Sequence, residues 1–188
     1  KREEFPALMA GQVDKLEFLL ASLIKMSRLE TGTFALHLEE SPLSETLAKA
    51  VGAVWAKGEA KGIALAIHCD DTITVCHDPK WTAEALGNIL DNAVKYTPAG
   101  GQVTITVRPW QFYTRIDITD TGIGIPEGEY HQVFQRFYRS PAVADQEGVG
   151  LGLYLARGII TRQRGYISVK SKVGEGTTFS VYLLREMR

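Results

Sequence analysis

The chain has 188 residues, of which 45% are hydrophobic and 23% are charged, and its formal net charge is −1. This length suits one full domain with an appendage, and the composition excludes a long disordered tract. The near-neutral charge gives no basic field for a phosphate backbone, so we expect no nucleic-acid partner. No apolar run approaches the roughly 20 residues that span a bilayer, so we expect no direct membrane contact by these residues.

The first segment carries a helical pattern that ends at Gly32. Pro6 suits a first helical turn, and apolar residues follow with alternating spacings of four and three. These positions are Met9, Val13, Leu16, Leu20, Leu23 and Ser27. The pattern predicts a bundle helix over residues 1–32, with a helix packed on its own domain as the alternative. Because the sequence begins at Lys1, without methionine and inside this pattern, we expect it to be part of a longer protein.

From residue 33 to residue 188 the patterns alternate between strands and helices. The predicted strands are residues 34–39, 63–69, 74–77, 103–108, 112–119, 166–171 and 177–184. The predicted helices cover about residues 41–61, 78–96 and 151–164. They predict an α+β fold, an α/β sandwich in which about three helices cover one face of a mixed, mostly antiparallel sheet, preceded by one long bundle helix.

Two cysteines, Cys69 and Cys76, lie in strand-like segments on either side of a turn. Their spacing is not that of a metal site. We expect reduced core thiols and a cytosolic setting, with a disulfide or a sensor pair as the alternatives.

The second long predicted helix carries a polar face. Asn88 and Asn92 are four residues apart and share that face, and Lys95 and Tyr96 lie one turn further on. Amide oxygens suit a hard cation, amide and ammonium donors suit phosphate oxygens, and the tyrosine ring suits a base. An ordinary solvated helix face is the alternative for this pattern alone.

Asp120 follows an apolar strand directly and is succeeded by Thr121-Gly122-Ile123-Gly124-Ile125. A carboxylate held at a strand end can accept from the exocyclic amine of a base, and glycines let the backbone approach a ligand. Adenine offers such an amine and guanine offers one of its own. A simple turn is the alternative explanation.

A glycine-rich segment, Gly148-Val149-Gly150-Leu151-Gly152, opens the last predicted helix, where backbone amides can hold phosphate. Its spacing matches neither the dinucleotide fingerprint nor the P-loop. Between the glycine clusters, residues 122–149 have little periodicity, which is typical of a functional loop or lid. This lid contains Phe134-Gln135-Arg136-Phe137-Tyr138-Arg139.

In order and spacing, these segments and the final Gly174-Glu175-Gly176-Thr177-Thr178-Phe179 resemble the N, G1, F, G2 and G3 boxes of sensor histidine kinases, within the GHKL ATPase superfamily. The resemblance covers essentially residue 34 to the C-terminus. It implies a GHKL-type ATP-binding catalytic domain over residues 33–188, with an ATP lid at about 122–149. The first helix resembles the second helix of the family's dimerisation and phosphotransfer domain.

The resemblance also implies roles for individual residues, with ATP and Mg²⁺ as the cofactors. Asn92 is implied as the Mg²⁺ ligand, Asp120 as the acceptor for the adenine amine, and Thr178 as a contact to the base through water. Residues implied at the ribose or the phosphates are Lys95, Tyr96, Arg136 and the amides of Gly148, Val149, Gly150, Leu151 and Gly152. Further nucleotide contacts are implied for Asn88, Gly122, Gly124, Ile125 and Tyr138, and the catalytic set is Asn88, Lys95 and Arg136.

Asn88 distinguishes members of the superfamily. In gyrase- and MutL-type ATPases a glutamate one turn before the Mg²⁺-binding asparagine activates water, and Asn88 stands at that position here. An amide is not a useful base near neutral pH, so an acceptor that is already nucleophilic, such as a neutral imidazole, is favoured. The alternatives are a non-catalytic, nucleotide-gated interaction module and a gyrase- or MutL-like ATP-hydrolysing domain.

The acceptor histidine is expected upstream of Lys1, because none of His37, His68, His77 and His131 has the surroundings of the family's acceptor. We therefore expect no autophosphorylation by this chain. The resemblance implies three partners: the protein's own phosphotransfer domain, a response regulator receiver domain, and a second copy in a full-length homodimer. It also implies a cytoplasmic fragment of a protein anchored in the bacterial plasma membrane.

Overall fold

The computed structural model describes residues 4–185. The chain divides into two compact units at residue 35, Lys1–Ala35 and Leu36–Arg188. The first unit is a single helix, α1 (Glu4–Thr31), and apolar side chains along it are exposed. Examples are Val13, Leu16 and Leu20. The predicted positions Pro6 and Met9 lie outside the residues whose side chains are described.

The second unit contains the sheet and the remaining helices. In chain order its elements are β1 (Glu39–Pro42), α2 (Leu43–Gly52), α3 (Trp55–Ala60), β2 (Ala64–His68), β3 (Thr74–His77), α4 (Pro79–Tyr96), β4 (Gln102–Pro109), β5 (Tyr113–Asp120), α5 (Gly152–Arg162), β6 (Tyr166–Lys172) and β7 (Gly176–Leu184). Between β5 and α5 the described backbone has short 3-10 turns at Glu127–Glu129, Gln132–Phe134 and Pro141–Val143.

The main sheet has five strands in the order β2-β4-β5-β7-β6. Strands β2 and β4 are parallel, and the other neighbours are antiparallel. This confirms the predicted mixed, mostly antiparallel sheet. Strands β1 and β3 form a separate antiparallel pair.

Two local predictions are wrong. Residues 34–38 are not in a strand, and pairing begins only at Glu39, opposite His77. The expected helix over 41–61 is two helices, because the chain turns at residues 53–54, where Val54 is buried and its amide donates to the carbonyl of Val51. In both places tertiary contacts override a local pattern.

One face of the main sheet forms the core with α2, α4 and α5. Leu86, Ile89 and Leu90 of α4 are fully buried, as are Ile116 and Ile118 of β5. Since side chains alternate along a strand, Asp120 continues the inward row begun by these two isoleucines. The fold thus directs a carboxylate inward where the hydrophobic row ends.

The other face of the sheet is polar and aromatic. Tyr166 and Tyr182 stack with ring centroids 4.2 Å apart. Asp117 is buried there and accepts from Arg115 Nε at 2.7 Å and from the Ser180 hydroxyl.

Helix α4 begins and ends at well-satisfied caps. Asp78 accepts from the amide of Trp81 at 3.0 Å, and Pro79 occupies the first turn. At the other end, Lys61 Nζ donates to the carbonyls of Val94 (3.0 Å) and Lys95 (2.7 Å). The end of α4 that carries Lys95 is therefore fixed in place.

Two further predictions concern the cysteines and the membrane. Cys69 and Cys76 are free thiols, but both are half-buried, so neither is the core residue that was expected. Within the described part of the chain, none of the helices has the length and apolar character that a membrane crossing requires.

Candidate nucleotide-binding site

The site is centred on Asp120, whose residue is only 7% exposed at the end of β5. Its Oδ1 accepts from the backbone amides of Gly122 (2.8 Å) and Thr177 (3.3 Å). Burial raises the pKa of this carboxyl, and the two amide bonds act in the opposite direction. A buried carboxylate with one oxygen committed to the backbone is suited to accept from a ligand donor through its other oxygen.

The glycines after Asp120 let three backbone segments meet. A side chain on Gly122 would place its Cβ 2.7 Å from the carbonyl oxygen of Tyr96 and 2.7 Å from Asp120 Oδ1. Gly124 has φ +74°, and its Cβ would overlap the carbonyl of Lys172. The loop is thereby held between the end of α4 and the β6–β7 turn.

Two anchors hold the entry to the predicted lid. The amide of Ile125 donates to Ser171 Oγ at 2.8 Å. The Tyr130 hydroxyl donates to the carbonyl of Ser171 and accepts from its amide at 2.8 Å. Neither Ser171 nor Tyr130 was predicted from the sequence.

The polar face of α4 adopts the predicted arrangement, with Asn88, Asn92, Lys95 and Tyr96 all partly exposed. Lys95 Nζ lies 5.0 Å from the centroid of the Tyr96 ring. The Nδ2 atom of Asn88 is buried without a hydrogen-bond partner. An unsatisfied buried amide is costly unless a ligand or water accepts from it, so Asn88 is a candidate for contact with a ligand.

The glycines before and at the start of α5 come close to this face. A Cβ on Gly148 would lie 2.5 Å from Lys95 Nζ, and a Cβ on Gly152 would lie 3.7 Å from the Cβ of Asn88. Gly150 has φ +75° and packs on the carbonyl of Tyr138, while its own carbonyl accepts from the amide of Phe137 at 2.9 Å. Two separate sequence motifs are therefore adjacent in space.

At the start of α5, backbone amides rather than side chains are the groups available to a ligand. Leu151 occupies the cap position with no side-chain capping bond, and its side chain is buried. Val149 lies beside it and is half-buried. Backbone amides at the start of an 11-residue helix favour an anion.

An aromatic residue of the predicted lid packs on the body of the domain. Phe134 is buried against Phe179, with centroids 6.0 Å apart, and Arg157 of α5 lies over its ring. The Arg136 guanidinium lies 5.7 Å from the centroid of the Tyr154 ring, also on α5.

Tyr138 forms a hydrogen bond with Glu129, another residue of the predicted lid. Burial raises the pKa of Tyr138, and a hydrogen bond with Glu129 acts in the same direction. Tyr138 thus contacts lid residues, and Arg136 contacts α5.

The last glycine motif places Thr177, rather than Thr178, beside Asp120. Thr177 is directly opposite Asp120 in the ladder and is buried. Thr178 points to the other face of β7, where its hydroxyl is 2.9 Å from that of Thr119. The alternation of β7, in which Phe179 faces the core, was the sequence signal that could have distinguished the two threonines.

Of the four histidines, one is buried in the fold and three lie on the surface. His77 is fully buried, with Nε2 2.8 Å from the Thr46 hydroxyl and Nδ1 2.8 Å from the carbonyl of Val75. His37, His68 and His131 are exposed. No cluster of three or more His, Cys, Asp or Glu side chains that could hold a metal occurs in the described part of the chain.

Comparison with known proteins places this geometry in a family. Residues 77–187 match the family of histidine kinase-, DNA gyrase B- and HSP90-like ATPases. The match covers more than half of the chain and includes every glycine motif described above. The chain belongs to this family.

The chain is also similar to individual members of this family. The chain is 30% identical to sensor protein DivL of Caulobacter vibrioides over 178 residues, which is 94% of this chain and 23% of DivL. It is 28% identical to the mycobacterial sensor histidine kinase MprB, with a TM-score of 0.71 over 80% of this chain and 100% of the MprB chain. Histidine kinase ThkA, solved with response regulator protein TrrA, has a TM-score of 0.75 at 21% identity, over 93% of this chain and 49% of that chain.

The chain corresponds to only part of its curated relatives, between 20% and 45% of the length of those it matches. It is similar to sensor histidine kinases in sequence and has the fold of their catalytic domains.

Proposed function

We propose that this chain binds ATP with Mg²⁺ and supplies the γ-phosphoryl group for phosphorylation of a histidine on a separate phosphotransfer domain. The observation that carries this proposal is the close approach of Gly152 to Asn88, where a Cβ on the glycine would lie 3.7 Å from that of the asparagine, with the Nδ2 atom of Asn88 buried and unpaired. It joins the polar face of α4 to the amides that open α5, where a phosphate chain finds donors on two sides.

The base and the phosphates have distinct partners in this proposal. The second oxygen of Asp120 accepts from the adenine amine. The amides of residues 148–152 bind the phosphates, and the ammonium group of Lys95, close to Gly148, offsets their charge. Thr177 takes the position beside the base, because it adjoins Asp120 and Thr178 does not.

Asn92 is the proposed Mg²⁺ ligand. A single amide oxygen is a weak site, but Mg²⁺ commonly combines one or two protein ligands with phosphate oxygens and water. A bound Mg²⁺ would neutralise charge on the β- and γ-phosphates. Asn92 is partly exposed on the same helix face as Asn88 and Lys95, so its side chain can reach a nucleotide there.

The transfer forms a bond from an imidazole nitrogen to the γ-phosphorus and breaks the bond to the bridging oxygen, so that ADP leaves. Asn88 has no basicity with which to activate water, and its amide donates to a phosphate oxygen instead. Lys95 and Arg136 stabilise the charge on the phosphates, Arg136 after movement of the lid on which it lies. This favours a kinase over a hydrolase.

The partners follow from the same proposal. An acceptor is supplied by the protein's own phosphotransfer domain, to which α1 contributes one helix, and exposed apolar residues of α1 would pack in a bundle with a second copy. The phosphoryl group then passes to an aspartate of a response regulator, a partner that ThkA binds in a solved complex. We place the domain on the cytoplasmic side of a membrane-anchored protein.

Labelled nucleotide tests the proposal. With γ-labelled ATP and Mg²⁺, the chain alone should acquire no stable label, whereas a separately purified phosphotransfer domain added to it should be labelled, weakly because the two are not tethered. The control is the same added domain with alanine in place of its acceptor histidine. Stable label on the chain alone contradicts the assignment of its histidines, and steady ATP turnover without acceptor would favour a gyrase-like hydrolase.

A further inference from the structure

Ser171, near the end of β6, is the centre of a hydrogen-bond network that connects Asp120 to the lid. Its hydroxyl oxygen is 2.8 Å from the amide of Ile125, 2.9 Å from the carbonyl of Gly176 and 2.8 Å from the hydroxyl of Thr177. The amide of Thr177 in turn donates to Asp120. One half-buried side chain therefore contacts both the lid entry and the partner of the buried carboxylate.

If all three contacts are hydrogen bonds, counting protons assigns the donors in this network. A serine hydroxyl has one proton to donate and two lone pairs to accept with. The amide of Ile125 can only donate, and the carbonyl of Gly176 can only accept. The Ser171 proton therefore goes to Gly176, and the remaining short contact is a hydrogen bond only if the Thr177 hydroxyl donates to Ser171.

The direction of the Thr177 hydroxyl has a consequence for the ligand. With its proton committed to Ser171, Thr177 presents lone pairs to the space beside Asp120, where it lies opposite the carboxylate in the ladder. Two acceptors side by side attract the exocyclic amine of adenine, directly or through water. They repel the carbonyl oxygen that guanine carries at the corresponding position.

We infer that Ser171 is a positioning residue that orients the Thr177 hydroxyl and so contributes to selection of adenine over guanine. The inference rests on the proposed nucleotide binding. Ser171 acts on the base through Thr177, and its bond to Ile125 is a separate anchor for the lid. Asp120 supplies the larger part of the selectivity, because it is charged and cannot rotate into a donor.

The test compares binding of Mg-ATP and Mg-GTP by calorimetry for the 188-residue chain and its variants. Ser171→Ala frees the Thr177 hydroxyl to donate, so the ratio of ATP to GTP affinity should fall about fivefold, the effect of one net hydrogen bond. Ser171→Thr keeps the hydroxyl and should restore the ratio. Ser168→Ala removes an exposed serine from the same strand and should leave the ratio unchanged.

Tyr130→Phe separates base selection from lid anchoring. It removes the hydroxyl that bonds the main chain of Ser171 but leaves the contact with Thr177 intact. Trypsin cleavage after Arg136 and Arg139 should become several-fold faster in both Tyr130→Phe and Ser171→Ala, because each loses a lid anchor. Only Ser171→Ala should change the nucleotide ratio.

The outcomes are distinguishable. An unaltered chain that binds neither nucleotide overturns the proposed function itself. If the unaltered chain prefers ATP and folded Ser171→Ala keeps the same ratio, the role of Ser171 is wrong and the proposed function stands. A Tyr130→Phe chain with an equally reduced ratio also overturns the inference, since lid anchoring would then account for selectivity.

Discussion

The backbone amide of Thr177 donates to Oδ1 of Asp120 at 3.3 Å. Thr177 lies on β7 directly opposite Asp120, which is the last residue of β5. The amide of Gly122 donates to the same oxygen. Asp120 is therefore held from both neighbouring segments. These two hydrogen bonds hold Oδ1 in place and thereby also fix the orientation of Oδ2.

Asp120→Asn should abolish ATP binding without harming the fold. An asparagine oxygen can accept the same two amide bonds, but its Nδ2 would face the adenine amine as a second donor. We expect affinity to fall roughly a hundredfold or more, measured by calorimetry. Unchanged affinity would show that the adenine assignment is wrong.

The same substitution should leave the nucleotide-free chain at least as stable at neutral pH. Burial raises the pKa of Asp120 in the folded state above the ordinary 3.8, so its contribution to stability is present below that value and is lost as pH rises through the folded pKa. Above the folded pKa the ionised carboxylate opposes folding, and asparagine removes that cost. Thermal denaturation of both chains at pH 7 measures the difference, and a markedly less stable variant contradicts the argument.

Gly176→Ala should destabilise the domain severely. Gly176 has φ +111°, and a Cβ there would overlap the carbonyl of Asp120, which belongs to a paired strand and cannot move alone. We expect a loss of about 2 kcal/mol or more in the free energy of unfolding, measured in urea. Gly174→Ala is the matched control, since φ is +80° but no atom lies within 4 Å, and its cost should be about 1 kcal/mol. Equal effects in the two variants would rule out the steric explanation.

How much of this could be predicted from the sequence depends on the range of the interactions. Helix α4 and strands β4 and β5 follow from local periodicity and caps, and the glycine motifs predicted the segments that surround Asp120. The break at Val54, where the side chain is buried, and the pairing of Glu39 with the distant His77 are not encoded in local periodicity, so local pattern gave the wrong element there. Alternation of polar and apolar residues predicts that a segment can form a strand, but it does not predict which strand it pairs with.

In the candidate site, too, local features could be predicted from the sequence and long-range contacts could not. Asn88 and Gly152 were each predicted, but only the folded chain brings them together. Ser171 was missed because its importance comes from the amide of Ile125, 46 residues earlier in the chain, and from Thr177 across a hairpin. The resemblance implied Thr178 at the base, and the motif alone does not state which threonine faces inward; the folded chain places Thr177 opposite Asp120.

His77 should make the stability of the domain depend on pH. The carbonyl of Val75 requires a proton on Nδ1, and in the neutral ring Nε2 then accepts from the Thr46 hydroxyl. Burial lowers the pKa of His77 below 6.5, with weaker opposing effects from Val75, Asp78 and Glu39. The unfolded chain therefore takes up the proton first, and stability that is complete above pH 6.5 is lost as pH falls towards the folded pKa.

Thermal denaturation at pH 7.5 and pH 5.5 tests this. The midpoint of the unaltered chain should fall by a few degrees, at roughly 2–4 °C for each kcal/mol in a chain of this size. In His77→Gln the fall should be smaller, whatever the variant's stability at pH 7.5. His68→Gln, on an exposed strand position, should retain the full pH dependence. An equal pH dependence in His77→Gln and the unaltered chain would assign it to other groups.

Gly148→Ala should weaken ATP binding through Lys95. Gly148 has φ +148°, and a Cβ there would lie 2.5 Å from Lys95 Nζ. Because the ammonium is at the end of a flexible side chain, it can move aside and relieve the steric overlap, but it then leaves the position beside the phosphate-binding amides. We expect about a tenfold loss of ATP affinity, together with a loss of about 1 kcal/mol in the free energy of unfolding from the positive φ alone, as in Gly174→Ala.

A double-mutant cycle with Lys95→Ala identifies the cause. If Gly148→Ala acts by displacing Lys95, it should have little further effect on ATP affinity once Lys95 is alanine, so the two losses should not add. Gly128→Ala provides the matched lid control, because a Cβ at Gly128 has no neighbour within 4 Å and should leave affinity unchanged. Fully additive losses would mean that Gly148 contributes through its own backbone and that the contact with Lys95 is incidental.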